Sequence, residues 1–366
     1  RLMLTKGDEY PIHQTAEPIA YSGTDRNFYD RFFFNGYKDD GSDFFAIAFG
    51  VYPHLNVADA HFSCIRGDTQ HCVHASRLLN MERMDLTVGP ITIEIVEPLK
   101  SLRVIVDNYE GISADLTFTG RAFPLEEPRF IRRIGPRTFM DYTRLTQNGH
   151  WQGWIEVDGV RHDVSGAVGT RDRSWGIRPV GASDPQPTVP QVIPQFYWLW
   201  SPVNFDDGAL YFHVNDDAHG RPWNTRAVWC PDGASAHEMV ESEACKMTTV
   251  LKPGWRHAAS AEMTAELPDG RTITASFEPG TPFLMRGIGY GHPEWTHGGW
   301  KGPLVVERED IDLTTLQPGR PDHLHIQAIS QVALTIDGQV QNGTGILEQL
   351  MLGAYAPLGL TSLFND

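Results

Sequence analysis

The run Thr170-Arg171-Asp172-Arg173-Ser174-Trp175-Gly176 concentrates charge beside an aromatic ring in a way that a passive strand does not. If the run is extended, alternation puts Arg171, Arg173 and Trp175 on one face and Asp172 and Ser174 on the other. Asp172 is then a candidate acid, or a carboxylate that orients a bound molecule. To donate a proton near neutral pH it must be buried, because desolvation raises a carboxyl pKa; an arginine within hydrogen-bond reach lowers it and makes the residue structural. The alternation aims Arg171 and Arg173 away from it. There they either position the anionic or oxygenated end of a ligand or pair with nearby acids on a solvated strand.

Aromatic residues gather around this motif. Trp175 and the later run Phe196-Tyr197-Trp198-Leu199-Trp200 offer ring faces for an apolar ligand, and a desolvated face stabilises a cation by about 1–2 kcal/mol. Tyr197 and Trp198 point to opposite sides of their strand, and Tyr197 also carries a hydroxyl that can take part in the reaction itself. Tyr142, Arg144, Gln147, Trp151 and Trp154 form a second polar-aromatic cluster. Arg144 either holds a carboxylate or phenolate on the substrate or salt-bridges to Asp172 or Glu156. Asp30, Arg31 and Asn35 on the first strand are further candidates to line a barrel mouth. His213 joins the ligand-contacting set, and Glu348 is the alternative acid. His213, Asp216, Asp217 and His219 have metal-ligand chemistry, as do His61, Cys64, His71, Cys72 and His74 on an expected hairpin. No spacing matches a standard zinc pattern, so neither a metal nor an organic cofactor is expected. The Gly343-x-Gly345 pair lacks the strand, loop and helix of a nucleotide fingerprint.

The elements that must position these residues are short and extended. Arg31–Tyr37 and Asp43–Gly50 flank Lys38-Asp39-Asp40-Gly41, and Asp59–Ile65 and Thr69–Leu78 flank Arg66-Gly67-Asp68, two hairpin signals in succession. Further strands are expected at Ile91–Val96, Leu102–Asp107, Ala114–Arg121, Phe139–Gln147, Trp151–Val157 and Val160–Val168, with a proline-interrupted excursion over residues 125–136. After the proline-rich Asp184–Pro190 the same pattern resumes from Gln195 to Ile336. Only Thr344–Ala354, with Ile346, Leu347, Leu350 and Met351 at helical spacing, predicts a helix, which would carry Glu348. The chain reads as all-β: two consecutive antiparallel barrels or sandwiches with one short C-terminal helix, divided into residues 1–182, a linker at 183–194, and 195–366.

The whole chain sets outer bounds. Its 366 residues exceed what one core usually serves, and ten tryptophans with eighteen phenylalanines suit an aromatic cavity. A formal charge of −16 excludes a dense positive footprint for nucleic acid. No apolar stretch approaches the length of a membrane span, so no stable membrane insertion is expected. Four scattered cysteines describe no disulfide framework and fit a reducing, cytoplasmic setting. The long glycine-rich segment 287–302 is expected to be a loop able to cover a cavity.

The charged motif ending in Ser174-Trp175-Gly176, closing one β module and followed by the aromatic strand Phe196–Trp200, resembles the two-domain lipocalin-like superfamily of carotenoid 1,2-hydratases, AttH-like proteins and tocopherol cyclases. Arginine stands at 171 and 173 where that group places histidine beside its aspartate, the mark of a separate branch. The resemblance implies two lipocalin-like domains and a chemistry without redox cofactor. An acid protonates an alkene or epoxide, aromatic faces stabilise the cation, and water or an internal nucleophile captures it. On this reading the protein is a cofactor-independent hydratase, cyclase or isomerase. It acts on an apolar small molecule, isoprenoid-like or aromatic, in a cavity near the domain junction. The alternatives are a lipid- or isoprenoid-binding carrier with the same walls and no turnover, and a metal-dependent hydrolase. The oligomeric state is not specified by these features.

Overall fold

Glycine, asparagine and aspartate punctuate the chain at short intervals, and the left-handed backbone at Asn56, Gly67, Glu110, Gly111, Asp158 and Gly159 turns it back on itself each time. The computed structural model describes residues 3–13, 25–186, 189–190 and 192–364. Its first thirteen strands are β1 (Phe28–Tyr37), β2 (Phe45–Tyr52), β3 (Val57–Arg66), β4 (Thr69–Leu78), β5 (Thr87–Val88), β6 (Ile91–Glu97), β7 (Ser101–Tyr109), β8 (Ile112–Gly120), β9 (Leu125–Glu126), β10 (Phe130–Ile134), β11 (Arg137–Val157), β12 (Val160–Asp163) and β13 (Val168–Ile177). Ten follow: β14 (Phe196–Asn204), β15 (Gly208–Asp216), β16 (Pro222–Pro231), β17 (Val240–Ser242), β18 (Cys245–Leu251), β19 (Ala258–Glu266), β20 (Thr272–Leu284), β21 (Leu304–Asp312), β22 (Ile326–Ile336) and β23 (Gln339–Leu352). The helical elements among the described residues are single 3₁₀ turns, and no helix is long and apolar enough to cross a membrane.

The strands form two antiparallel, barrel-like sheets. In the first, the order is β21-β4-β3-β2-β1-β13-β11-β8-β7-β6-β5, with β9, β10 and β12 also on β11. Phe32, Phe34, Phe49, Phe62, Phe118 and Trp151 meet in one interior cluster drawn from both halves of the sheet. At the rim, Tyr109 Oη on β7 donates to the Val306 carbonyl on β21 at 2.8 Å, which draws the two ends together. β11 carries the longest run because it changes partner midway: residues 141–150 pair with β13, and 149–157 pair with β8. Within the β8-paired run, Gly153 stands where no other residue fits. Its φ is +121°, and a Cβ there would lie 1.9 Å from the Asp115 carbonyl oxygen.

The second sheet runs β17-β16-β15-β14-β23-β22-β20-β19-β18. Leu199, Phe212, Met263, Phe277, Leu334 and Leu347 fill its interior. Here the structure corrects the sequence: residues 339–352 are strand β23 between β14 and β22, with no C-terminal helix. Residues 345–349 of this strand are buried on both faces, so apolar side chains point to both sides and the period of two disappears from the sequence.

Two compact units result, Arg1–Lys38, Ser42–Ser183 and Gly287–Asp312 in the first, and Asp39–Gly41, Asp184–Arg286 and Leu313–Asp366 in the second. Residues 287–312, read in the sequence as part of the second module, return to the first sheet. β21 pairs there with β4 along its whole length, Leu304 opposite Arg77 through Asp312 opposite Thr69.

Candidate active site

On β13 the expected alternation holds, and each face meets a different environment. Arg171 and Arg173 point into the first barrel. Arg171 makes two hydrogen bonds to the fully buried Glu9 carboxylate, at 2.5 and 2.8 Å, and a third to Gln147 Oε1 at 2.8 Å. Arg173 lies 2.6 Å from Asp30 Oδ1 and donates to the carbonyls of Glu9, Tyr10 and Arg31. Trp175, on the same face, stacks on the His13 ring with centroids 3.7 Å apart. These three residues therefore anchor the N-terminal segment to the barrel through Glu9, Tyr10 and His13, with Glu9 fully buried. They are not grouped with Asp172.

The outer face of the same strand carries Asp172. Its neighbours in register are Thr146 on β11 and Phe33 on β1, while Arg144 and Arg31 flank Ser174 two residues along, on the same face. The residue is 8 % exposed, and no hydrogen bond or ion pair reaches its carboxylate from the described residues. Burial pushes its pKa up from 3.8 to about 7; the Arg144 guanidinium opposes the rise and the Glu127 carboxylate adds to it. Arg144 is held elsewhere. Its Nε and Nη2 donate to Glu127 Oε2 at 2.9 and 2.7 Å, and Thr146 Oγ1 donates to Glu127 Oε1 at 2.7 Å. Glu127, which the sequence analysis did not single out, thus takes the guanidinium that could otherwise ionise Asp172.

The charges of Arg144, Arg31 and Arg178 act on this carboxyl, and tyrosines pack against those arginines, Tyr29 and Tyr142 standing in register with Gly176 on the same face of β13. Tyr142 stacks on Phe130 at 4.6 Å and meets Tyr29 edge-on at 6.1 Å, and burial raises the pKa of both phenols. Arg178 lies over the Tyr29 ring at 4.5 Å, and Arg31 lies over that of Tyr290 at 4.9 Å while donating to its hydroxyl at 3.0 Å. Arg31 also contacts His297 Nδ1 at 3.1 Å. Tyr290 and His297 come from the glycine-rich segment 287–303, which packs on the outer faces of β1 to β4. Along it, the Gly298 N–H donates to Asp59 Oδ2, Trp295 stacks on His74, and His292 reaches Glu309 at 3.0 Å. Gly289, at φ +94°, fits because a Cβ would sit 2.6 Å from His297 and 2.9 Å from His61. Of the hairpin His and Cys residues noted in the sequence, His61, Cys72 and His74 converge on this face, where His61 and His74 approach to 2.8 Å and Cys72, His74 and Glu309 offer ligand atoms within 4.8 Å of one another, whereas Cys64 lies in the barrel interior and His71 bonds to Asp310.

The remaining expected residues lie elsewhere. Trp154, on the β11–β12 hairpin, is covered by the Arg161 guanidinium at 3.6 Å. Tyr197 belongs to the interior of the second barrel, stacked on Tyr355 at 3.8 Å and bonded to Thr249, with its phenol pushed up to about 12 by burial. Trp198, Trp200, His213 and Glu348 share the opposite face of that sheet, Trp200 lying in register with both His213 and Glu348. Burial disfavours the Glu348 carboxylate, but hydrogen bonds from His325, Gln327 and Trp198 outweigh it and hold the pKa below the ordinary value. A carboxyl held ionised is a poor proton donor at neutral pH, which separates Glu348 from Asp172. His213 is bonded to Asn224 Oδ1 at 2.6 Å.

Residues 4–361 match the profile of a family of unknown function (DUF8625). The chain belongs to this family. Among solved structures, this DUF8625 member is similar to an AttH-like protein of Nitrosomonas europaea, at 12% identity over 90% of this chain and 95% of that one, with a TM-score of 0.50. It is similar also to CghA crystallised with Sch210972, at 12% identity over 89% of each chain and a TM-score of 0.52. Kievitone hydratase from Nectria haematococca aligns over 88% of each chain at 11% identity and a TM-score of 0.48. No curated protein matches in sequence. The likeness to the AttH-like protein and CghA shows a shared fold of two antiparallel barrel-like sheets, the fold that the resemblance implied.

Proposed function

We propose that this protein is an enzyme of the hydratase, cyclase or isomerase type, in which Asp172 is the general acid acting on a largely apolar, oxygen-bearing small molecule. The observation that carries this reading is a buried carboxyl with neither hydrogen bond nor ion pair among the described residues and a pKa of about 7. Such a group is part protonated at neutral pH and can both give and retake a proton. In a hydration, the Asp172 proton passes to one carbon of a C=C bond, water adds to the other, and the proton lost by that water restores the acid. In a cyclisation, an internal nucleophile replaces the water.

Tyr29, Tyr142 and Tyr290 supply ring faces near the developing cation, and Arg31, Arg144 and Arg178 supply positive charge for a phenolate, carboxylate or carbonyl oxygen on the substrate. Of the aromatic residues expected from the sequence, Tyr142 keeps this role in the proposal, and Tyr29 and Tyr290 take the place of Trp154, Trp175, Tyr197, Trp198 and Trp200. CghA, of the same fold, has been crystallised with Sch210972, which supports a small organic ligand for this architecture. Asp172→Asn tests the assignment against a carrier. The variant is expected to bind a ligand identified by mass spectrometry of a solvent extract of the purified protein with unchanged affinity, and to lose turnover of it by about 10²-fold or more. Unchanged turnover, or no turnover by the unaltered protein of any ligand it retains, sinks the proposal and favours the carrier.

A further inference from the structure

We infer that Cys72, His74 and Glu309 form a binding site for a divalent metal ion of the zinc class, separate from the Asp172 carboxyl and independent of its proposed chemistry. The backbone register creates the site. Cys72 on β4 stands directly opposite Glu309 on β21, and His74 follows Cys72 two residues on, so all three side chains rise from one face. One ligand atom from each lies within 4.8 Å of the others, and His74 Nε2 is 3.1 Å from Glu309 Oε2. Bond lengths of about 2.3 Å to sulfur and about 2.0–2.2 Å to nitrogen and oxygen are reached from there by side-chain movements of less than about an ångström. A thiolate, an imidazole and a carboxylate together form a borderline donor set, which suits zinc or cobalt better than magnesium or calcium. Three protein ligands leave a fourth position for water.

Each ligand also has an outer partner that orients it. Ser63 Oγ accepts from Gln70 Nε2 at 3.0 Å and lies 2.9 Å from Cys72 Sγ, in reach to donate to a metal-bound sulfur. The N–H groups of Glu294 and Trp295 both donate to His292 Nδ1, so His292 carries its proton on Nε2 and donates it to Glu309 Oε2 at 3.0 Å. His292 is therefore a partner of the ligand and not itself a ligand. With a metal on His74 Nε2, the His74 Nδ1–H donates to His61 Nδ1 at 2.8 Å. His61 then presents its Nε2 proton, otherwise buried without a partner among the described residues, toward Asp59 Oδ2 at 4.0 Å. Cys72 and His74 are fully buried, while Glu309 is 27% exposed and gives the ion a way in. A metal here would clamp β21, and with it the returning segment, to β4.

The full chain, purified without chelator, is expected to carry stoichiometric zinc by elemental analysis. After removal of that zinc, added Co²⁺ is expected to produce a thiolate-to-metal charge-transfer band, absent in Cys72→Ala and weakened in Glu309→Gln, with both variants retaining their β circular dichroism. The Co²⁺ titration of the unaltered chain keeps the test sound should a variant fail to fold. A folded chain that holds no stoichiometric zinc and gives no charge-transfer band with Co²⁺ overturns the inference. So does a band that survives in Cys72→Ala.

Discussion

A carboxyl buried without a hydrogen bond or ion pair lowers stability when it is ionised, and Asp172 is in that position among the described residues. Its folded-state pKa is raised above the unfolded value, so the folded protein binds the proton more tightly. Asp172 therefore favours folding in acid and loses that contribution as the pH rises from about 4 through about 7. Asn removes the ionisation. Asp172→Asn is expected to match the unaltered protein in urea unfolding near pH 4 and to exceed it by about 2–4 kcal/mol at pH 8. An equal difference at both pH values would mean that the carboxyl is not desolvated. Glu127 gives a second test at this scale. It raises the Asp172 pKa and holds Arg144. Glu127→Gln should therefore lower the Asp172 pKa, and the alkaline limb of kcat/KM, where a required acid loses its proton, should move to lower pH by about one unit. A limb that stays in place would assign the acid elsewhere. Asp172 was visible in the sequence as the odd residue between two arginines, but Glu127 was not, because its partner Arg144 lies across a strand pairing that no local pattern announces.

Strand alternation sorts charges that are adjacent in sequence into separate environments. Arg171 and Asp172 share a peptide bond, yet one is an interior anchor for the N-terminal segment and the other lies on the outer face among the charges of Arg144, Glu127 and Arg31. Alternation was legible in the sequence; which face would be the barrel interior was not, because the interior of this barrel is itself partly polar. Glu9, Asp30, Arg171, Arg173 and Gln147 occupy positions that usually hold aliphatic side chains. The Glu9–Arg171 pair is fully buried, and breaking one side of such a pair leaves a charge without its counter-ion. Glu9→Gln is expected to destabilise the protein by about 3–5 kcal/mol, read as a lower urea midpoint, and Glu9→Gln with Arg171→Met should recover part of that loss. A single variant of undiminished stability would show that the N-terminal segment is not held in the barrel. The helix expected over 344–354 failed for a related reason. Ile346, Leu347 and Met351 lie on both faces of a strand covered on both sides, and that pattern mimics helical spacing.

At the scale of the whole molecule the chain leaves the first sheet after β13, builds most of the second, returns to add β21, and goes back to finish the second sheet with β22 and β23. Turn spacing made two β modules legible, but Leu304–Asp312 alternates like any half-buried strand, and nothing within it says which sheet it joins. The return matters energetically. β21 satisfies the outer edge of β4 through nine residues on each strand, and the segment before it covers Arg31, Asp59, His61 and His74. Without that cover, polar groups that find partners only there lose them, and a long strand edge is opened to pairing with other chains. A fragment ending at residue 183, the natural cut if the modules were consecutive, is therefore expected to aggregate or to unfold without a cooperative transition by size-exclusion chromatography and circular dichroism. Supplying residues 287–312 as a separate peptide should restore a monomeric β fold. A fragment that is monomeric and cooperative by itself would show instead that β21 is an addition to a sheet already complete, and the polar cluster beneath the returning segment would then have to be stable in water.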